Sequence, residues 1–267
     1  GVLLRGVDAA SWRRFTVEEA ARIVAVVGGG AAGYFAAIRC AEENPDARVH
    51  VFEATRHPLA KVRISGGGRC NVTHACFDPR ELVRHYPRGA RELIGVFHRF
   101  GPRETIAWFE ARGVTLKTEP DGRMFPVTDA SATIIDALTT AAARAGVAVH
   151  LQSPVRSIER TPSGSFRLEL QNAAAVEADR VLLATGGGRN NAGAAMAQAF
   201  GHTIEQQAPS LFAFNIEDAR LRGLAGISVP DAAVAIEDMR LRDHGPMLIT
   251  HRGLSGPAIL RVSAWGA

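Results

Sequence analysis

Cysteine is scarce in this sequence. Cys40, Cys70 and Cys76 are the three cysteines among 267 residues, and none of them lies in a Cys-x-x-Cys pair. An odd number of cysteines without that spacing argues against a disulfide framework and against a zinc site. We therefore expect a reducing compartment, the cytoplasm by default, and no bound metal ion.

Blocks of basic residues and long apolar runs are absent as well. The 31 Lys and Arg residues are scattered, and two of them, Lys61 and Lys117, are lysines. A net charge of +4 without a basic block gives no reason to expect a nucleic-acid partner. The longest uncharged run, from Ile23 to Ile38, is shorter than the roughly 20 residues that cross a bilayer, so we expect no membrane span. The first 20 residues lack the apolar core of a signal peptide, and we expect them to form a poorly ordered N-terminal extension or to be the remnant of a processed segment.

What the sequence does contain is typical of a globular α/β domain. Hydrophobic residues make up 46% of the chain and charged residues 22%. The apolar run Ile23–Val27 ends in glycines and predicts a buried parallel strand. A helix is predicted from Ala31 to about Glu43, and a second strand over Arg48–Phe52. Strand, tight turn, helix and strand within about 30 residues form one βαβ unit.

The turn of this unit carries glycines at G-x-G-x-x-G spacing, Gly28, Gly30 and Gly33. The first allows a tight turn, the second lets a pyrophosphate approach the backbone, and the third lets the helix pack against the strand. The helix N-terminus then offers free N–H groups and a positive dipole end to phosphates. Glu53 ends the second strand, where a carboxylate accepts hydrogen bonds from a ribose diol and disfavours a 2′-phosphate. The pattern predicts a bound dinucleotide, with a purely structural glycine turn as the alternative.

A second glycine-rich segment, Ser65–Asn71, reads Ser-Gly-Gly-Gly-Arg-Cys-Asn. Three successive glycines leave backbone N–H groups unshielded, and Arg69 adds a positive charge, so this loop can cradle an anion or lie flat against a ring system. A flexible linker is the alternative. Cys70 is a candidate redox thiol, although a lone cysteine more often packs as a small apolar residue.

Later segments predict further helices and strands. The helices are expected near Glu92–Phe100, near Arg103–Arg112, from a cap at Asp129 or Ser131 to about Arg144, and over residues 192–201; the strands are Val147–Leu151, the hairpin Val155–Arg160 and Phe166–Leu170, and Arg180–Ala184. Residues 54–80 are rich in Gly, Pro and basic residues, and we expect an ordered loop there rather than a packed element. After Pro209 the pattern changes to short strand-like pieces, which indicates a second domain.

Four motifs occur in the order found in a known family: Val26–Gly33, Ile64–Thr73, Asp121–Pro126 and Thr250–Pro257. Over about Ile23 to Ala267 the chain resembles the aminoacetone-oxidase-like, or BaiN/YhiN-like, FAD-binding flavoproteins. The pieces His85–Gly89 and Leu260–Gly266 are most similar to its cyanobacterial and plant-type branch. This branch makes a plastid or another organelle the alternative to the cytoplasm.

The resemblance implies FAD bound to a Rossmann-like α/β domain of the two-dinucleotide-binding-domain type. Residues 21–207 would form this FAD-binding domain, and residues 208–267 the start of an inserted β-rich substrate domain. Family members continue past the Ser-Ala-Trp-Gly motif, so we expect the C-terminal part that completes the flavin pocket to be missing from this chain. The implied cofactor-binding residues are Gly28, Gly30, Ala31, Ala32 and Gly33 at the pyrophosphate, Glu53 at the adenosine ribose, Gly67, Gly68, Arg69 and Asn71 near the flavin or pyrophosphate, Val155 at adenine, and Thr185 and Gly186 in a strand-end Ala-Thr-Gly motif.

Catalytic residues cannot be assigned from the pattern, because flavin chemistry belongs to the cofactor. His251 and Ser255 are candidates to face a substrate from a glycine- and proline-bounded loop, and a turn that His251 caps is the alternative. Arg123 is a candidate to hold a substrate carboxylate, and a turn salt bridge with Asp121 is the alternative.

We therefore expect an FAD-dependent oxidoreductase that acts on a small organic substrate, with NAD(P)H or oxygen as electron partner. One alternative is a non-catalytic subunit or interaction module of a larger assembly that retains the flavoprotein fold, motivated by the early end of the chain and by residues 1–20. Another is an NAD-only dehydrogenase, which has no need of the second glycine loop.

Overall fold

The computed structural model describes residues 21–187, 192–205 and 207–267. The helices in these residues are α1 (Ala31–Glu43), α2 (Ala60–Ile64), α3 (Pro79–Leu82), α4 (Ala90–Arg99), α5 (Pro102–Glu110), α6 (Ser131–Arg144), α7 (Ala192–Ala199) and α8 (Pro257–Gly266). The strands are β1 (Ile23–Val27), β2 (Arg48–Phe52), β3 (Thr73–His74), β4 (Leu116–Thr118), β5 (Arg123–Pro126), β6 (Ala148–His150), β7 (Val155–Arg160), β8 (Phe166–Leu170), β9 (Val176–Ala178), β10 (Arg180–Leu183), β11 (Phe214–Asn215), β12 (Ser228–Ile236), β13 (Leu241–Thr250) and β14 (Gly253–Ser255). The predicted N-terminal extension, residues 1–20, lies outside the described residues.

The composition of β1 explains its central place in a parallel sheet. Its sequence is Ile-Val-Ala-Val-Val, and a strand that is covered on both faces is typically a continuous run of such residues. β1 pairs in parallel with β10 on one side and with β2 on the other, and β2 pairs in parallel with β6. The strand order β10-β1-β2-β6 confirms the predicted α/β, Rossmann-like fold.

The two faces of this sheet bury two separate apolar clusters. Alternate residues of a strand point to opposite faces. On one face Val26 and Val51 pack with residues of α1, α5 and α6. On the other face Ala25 and Phe52 pack with the antiparallel sheet β7-β8-β9, where Leu168 is fully buried. The glycine turn after β1 is therefore held between two packed layers.

Two local predictions are wrong in this region. Part of the expected loop over residues 54–80 is the short helix α2, and Leu59 and Val62 bury their side chains in the cluster that contains α1 and α6. The expected side-chain cap of α6 is absent, because its N-cap is Ala130. Ser131 begins the helix instead, and its hydroxyl donates a hydrogen bond of 2.8 Å to the carbonyl oxygen of Arg63. That bond ties α6 to α2.

Contacts divide the described residues into two units. The first contains the described part of residues 1–77 and Phe100–Thr203, and the second contains Asp78–Arg99 and the described part of residues 204–267. The predicted domain boundary at residue 208 stays a prediction. The contacts also place α3 and α4 in the same unit as the residues from Ile204 onward.

The second unit is built on an antiparallel sheet of order β11-β14-β13-β12. Its β12 and β13 have 9 and 10 residues, so they are longer than the short strands that the sequence predicts after Pro209. α8 packs against both strands. Ser263 of α8 is fully buried, and its hydroxyl accepts the N–H of Phe212 at 3.0 Å and donates to the carbonyl oxygen of Leu260 at 2.7 Å.

Candidate functional site

Where the chain leaves β1, Gly28 and Gly33 lie too close to neighbouring backbone atoms to carry a side chain. Gly28 has a φ of +113°, and a Cβ on it would lie 2.4 Å from the carbonyl oxygen of Ala184. A Cβ on Gly33, inside α1, would lie 1.9 Å from the carbonyl oxygen of Gly28. Both glycines therefore allow α1 to approach β1 and the end of β10, as the G-x-G-x-x-G spacing predicts.

The middle glycine of the motif faces open space. Gly30 is the N-cap of α1, and a Cβ on it would meet nothing within 4 Å. No side chain caps α1, and Ala31 and Ala32 are exposed. The first N–H groups of a helix have no partner within the helix, and here they lie at the positive end of the α1 dipole. This arrangement suits a phosphate.

Glu53 follows β2, and its carboxylate is bonded to the glycine turn. Oε2 accepts the N–H of Gly29 at 2.7 Å, and Oε1 accepts the N–H and the hydroxyl of Thr55 at 2.8 Å and 2.7 Å. A carboxylate has about four acceptor positions, so about one is left for a ribose hydroxyl. Glu53 therefore also fixes the shape of the turn, a task that the sequence does not reveal.

A cavity of about 350 Å³ opens beside these groups, at the carboxyl ends of β1, β2 and β10. Ligands of open α/β sheets bind at this edge, and the volume is within the range of small-molecule sites. The structure brings five of the predicted cofactor-binding residues together in its lining: Gly28, Glu53, Val155, Thr185 and Gly186.

Lys61 is a neighbour of this cavity that the sequence predictions missed. The N–H of Leu59 donates to the carbonyl oxygen of Gly29 at 2.9 Å, which ties the start of α2 to the glycine turn. Two residues later, Nζ of Lys61 donates to the carbonyl oxygen of Gly187 at 3.1 Å. Gly187 lines the cavity. The rarity of lysine in the chain is the one feature of the sequence that could have singled this residue out.

The second glycine loop is an ordered turn and not a flexible linker. Gly66, Gly67 and Gly68 all have positive φ values, and the N–H of Cys70 donates to the carbonyl oxygen of Ser65 at 3.0 Å. A Cβ on Gly66 would lie 2.8 Å from the Phe125 ring, whereas Gly67 and Gly68 face open space. The two open glycines are the ones predicted at the cofactor, and the predicted Asn71 is exposed.

Arg69 makes structural contacts instead of facing the cavity that holds the other predicted residues. Its guanidinium lies 4.0 Å from the centroid of the buried Phe125 ring, and it pairs with Glu119 and, at 3.5 Å, with Asp129. The hydrogen bond to Glu119 raises the pKa of Arg69, so the group stays charged. These contacts brace the glycine loop against β5. The predicted contact of Arg69 with the cofactor stays a prediction.

Arg123 forms the turn salt bridge that the sequence offers as one of its two interpretations. Its Nε lies 2.7 Å from Oδ2 of Asp121, and its Nη2 lies 3.2 Å from Oε2 of Glu119. Burial favours the protonated form of Asp121, but the hydrogen bonds from the Arg123 N–H and guanidinium prevail and lower the pKa of Asp121. The guanidinium of Arg123 is thus occupied by two carboxylates.

The remaining catalytic candidates are Cys70, which is buried, and His251 and Ser255, which lie in the other unit. Cys70 is 6% exposed, and burial raises the pKa of its thiol, opposed by a hydrogen bond with Ser65. A buried thiol of raised pKa is a poor nucleophile. His251 and Ser255 belong to the second unit, where His251 is exposed in the turn between β13 and β14 and Ser255 pairs with Leu248.

A cavity of about 570 Å³ beside α1, α5 and α6 contains none of the predicted residues. In residues 21–187, 192–205 and 207–267, no group of three or more His, Cys, Asp or Glu side chains could hold a metal ion. Within the same ranges, no helix is long and apolar enough to span a bilayer.

Comparison with known proteins identifies related sequences. A family model described as "HI0933-like protein Rossmann domain" matches residues 22–255. The 3-dehydro-bile acid delta(4,6)-reductase of Clostridium scindens is 30% identical over 250 residues, which are 90% of this chain and 59% of that protein. The ribosomal RNA dihydrouridine synthase of Escherichia coli is 29% identical over 249 residues, 90% of this chain and 60% of that protein. The chain thus spans about three fifths of the length of the curated relatives it matches.

The solved structures to which the chain is similar are more distant. The 3-ketosteroid-delta4-(5alpha)-dehydrogenase of Rhodococcus jostii superposes with a TM-score of 0.47 at 19% identity, over 64% of this chain and 47% of that one. The glycine oxidase of Geobacillus kaustophilus gives a TM-score of 0.41 at 17% identity, over 68% of this chain and 60% of that one.

Proposed function

This chain belongs to the HI0933-like family of Rossmann-domain proteins, and from that premise we propose that it binds FAD and catalyses a flavin-dependent oxidation–reduction. The observation that carries the proposal is the open Gly30 at the uncapped N-terminus of α1, beside the Glu53 carboxylate. In this proposal the pyrophosphate lies at Gly30, Ala31 and Ala32, and Glu53 accepts a ribose hydroxyl.

The proposal places adenine and flavin with further residues. Adenine meets Val155 at the cavity wall, and the flavin lies near the open glycines Gly67 and Gly68. FAD, when bound, supplies two-electron redox chemistry, and the protein supplies orientation and electrostatics. The second glycine loop is the feature that favours FAD over the NAD-only alternative. Membership of the aminoacetone-oxidase-like group or of the cyanobacterial and plant-type branch stays a prediction, and so does the cellular compartment.

The reaction class follows from what the names of two relatives have in common. A delta(4,6)-reductase and a dihydrouridine synthase both add hydrogen across carbon–carbon double bonds, and relatives of both names match 89–90% of this chain. We therefore assign this protein the reduction of a double bond conjugated to a carbonyl group. The substrate gains two electrons and two protons, of which NAD(P)H supplies two electrons and one proton and the solvent supplies the other proton.

A small organic molecule suits this chain better than RNA as the substrate. RNA binding relies on clustered positive charge, and the basic residues here are scattered. Several of the first unit's arginines, Arg69, Arg112 and Arg123 among them, already pair with carboxylates. Transfer of the electrons to oxygen, as in an oxidase, is the second electron route to be tested.

The cofactor is tested by loading the purified protein with FAD, removing unbound flavin and recording the visible spectrum. We expect about one retained flavin per chain, as one glycine turn binds one pyrophosphate. Retention of NAD⁺ with no retention of FAD would support the NAD-only dehydrogenase instead. The Gly30→Val variant, in which a side chain occupies the proposed phosphate position, is the matched control.

The reaction is tested by following NAD(P)H oxidation by the FAD-loaded protein without oxygen, with cyclic enones and with uridine-containing RNA as acceptors. We expect substrate-dependent oxidation with an enone. Oxidation only with RNA would change the substrate class, and oxidation only with oxygen would make the protein an oxidase. An FAD-loaded protein that turns over none of these acceptors would support the non-catalytic alternative.

A further inference from the structure

The described lining of the cavity beside the glycine turn carries a net negative charge. Of the described residues that line it, Glu53 is the charged one and none is basic. A dinucleotide brings two negatively charged phosphates to this place, and the α1 N-terminus offers only about half an elementary charge. A cation close to the cavity would offset the remaining negative charge.

Lys61 is held where such a cation is needed. The backbone of α2 is tied to Gly29 of the glycine turn through Leu59, and the Lys61 ammonium donates to the carbonyl oxygen of Gly187. The ammonium nitrogen also lies 3.5 Å from the position that a Cβ on Gly186 would take. The Lys61 side chain therefore links α2, whose start is tied to the glycine turn, to the segment that follows β10 at the rim of the cavity.

The present partner of Lys61 leaves its charge unneutralised. A carbonyl oxygen is a neutral acceptor, and no carboxylate in the described residues lies within salt-bridge distance of Nζ. Lys117, the other lysine, is paired with Asp129. Lys61 is exposed, and its stem of four carbons lets the ammonium turn from one acceptor to another. Lysine binds phosphate as such a mobile point charge.

We propose that Lys61 binds the diphosphate of the dinucleotide, and that it does so from the rim formed by Gly186 and Gly187. This inference rests on the proposed binding of FAD, and it adds a side-chain cation to a site that is otherwise made of backbone N–H groups. Lys61 is thus a cofactor-binding residue that the sequence motifs do not include.

The test compares Lys61→Met, Lys61→Arg and the control Lys117→Met, which removes the same charge from the same unit. Kd values for FAD, ADP and adenosine are measured by calorimetry at about 50 mM and about 300 mM salt. We expect Lys61→Met to bind FAD and ADP about tenfold more weakly at low salt, with a shallower salt dependence. Lys61→Arg should stay close to wild type, and adenosine, which has no phosphate, should bind all four proteins alike.

Each contrary result has a distinct meaning. If the wild type binds FAD and Lys61→Met binds it equally well, Lys61 does not contact the diphosphate. If Lys61→Met weakens adenosine as much as ADP and leaves the salt dependence unchanged, Lys61 only shapes the rim, and the proposal is overturned. If the wild type binds neither FAD nor ADP, the proposed function fails together with this inference.

Discussion

Substitutions at two glycines of the turn should separate cofactor binding from folding. At Gly30 an added Cβ meets nothing within 4 Å, and the φ of −82° suits any residue. We expect Gly30→Val to lower the free energy of unfolding by about 0.5–1 kcal/mol, since valine is a poorer N-cap than glycine. At Gly33 the added Cβ of alanine would lie 1.9 Å from the Gly28 carbonyl oxygen, so α1 must move away from β1. We expect Gly33→Ala to lower the free energy of unfolding by a net value of about 2 kcal/mol, because the cost of moving the helix exceeds the gain of about 1 kcal/mol in helix propensity.

For FAD binding we expect the order to be reversed, so that Gly30→Val is the more damaging of the two substitutions. A valine at Gly30 occupies the place of the pyrophosphate and removes about two charge-assisted hydrogen bonds of about 1.5 kcal/mol each, which raises Kd about a hundredfold. Urea unfolding of the apoprotein gives the stability, and quenching of flavin fluorescence gives the Kd. A Gly30→Val variant that binds FAD like wild type would refute the phosphate position. A Gly33→Ala variant as stable as wild type would refute the close contact of helix and strand.

Three further predictions concern single side chains. Glu53→Gln should lower the stability of the apoprotein by about 1–2 kcal/mol, because the new amide NH₂ cannot accept the N–H groups that now bond to the carboxylate. Urea unfolding measures this stability. An unchanged unfolding midpoint would mean that Glu53 serves the ligand alone. Cys70 should react with a thiol reagent far more slowly in the native protein than in urea, because burial raises the pKa of its thiol; equal rates would contradict its burial. The pKa of Asp121 is lowered by Arg123, so its contribution to stability is present above the ordinary aspartate pKa of about 3.9 and is lost as the pH falls through the lowered value. Asp121→Asn should therefore flatten the acid limb of the stability curve, and superimposable acid-unfolding curves would show that the pair contributes nothing.

The first βαβ unit was predictable because its signals are local. The apolar run Ile23–Val27, the glycines and the helix pattern all act within a few residues of each other, and the observed β1 and α1 follow them closely. The short helix α2 was not predictable in the same way. Two buried side chains, Leu59 and Val62, hold it against a cluster formed by distant helices, while the glycines that follow suggest a loop.

Side-chain partners far apart in sequence explain why the site was predicted only in part. The place of Glu53 at the end of β2 follows from strand length, but its bond to Gly29 depends on two strand ends lying side by side. Lys61 meets Gly187 across 126 residues of sequence, and no pattern along the chain indicates that contact. The sequence pattern also gives no sign that Asp78–Arg99 groups with the residues from Ile204 onward.

The contacts that the Arg69 guanidinium already makes change how the proposed site can neutralise an anion. In sequence, Arg69 is the obvious positive charge for a phosphate, because it follows three glycines. In the structure, Phe125 lies under its guanidinium, and Glu119 and Asp129 pair with it. The guanidinium would have to leave all three partners to reach a ligand. Glu119 would then keep Arg123 as its partner, but the glycine loop would lose its ion pair with Glu119. Arg69 therefore stabilises the shape of the loop, and its contact with the cofactor stays a prediction. The positive potential that we propose for the cofactor comes from the backbone N–H groups at α1 and from the Lys61 ammonium, whose partner in the structure is a neutral carbonyl oxygen.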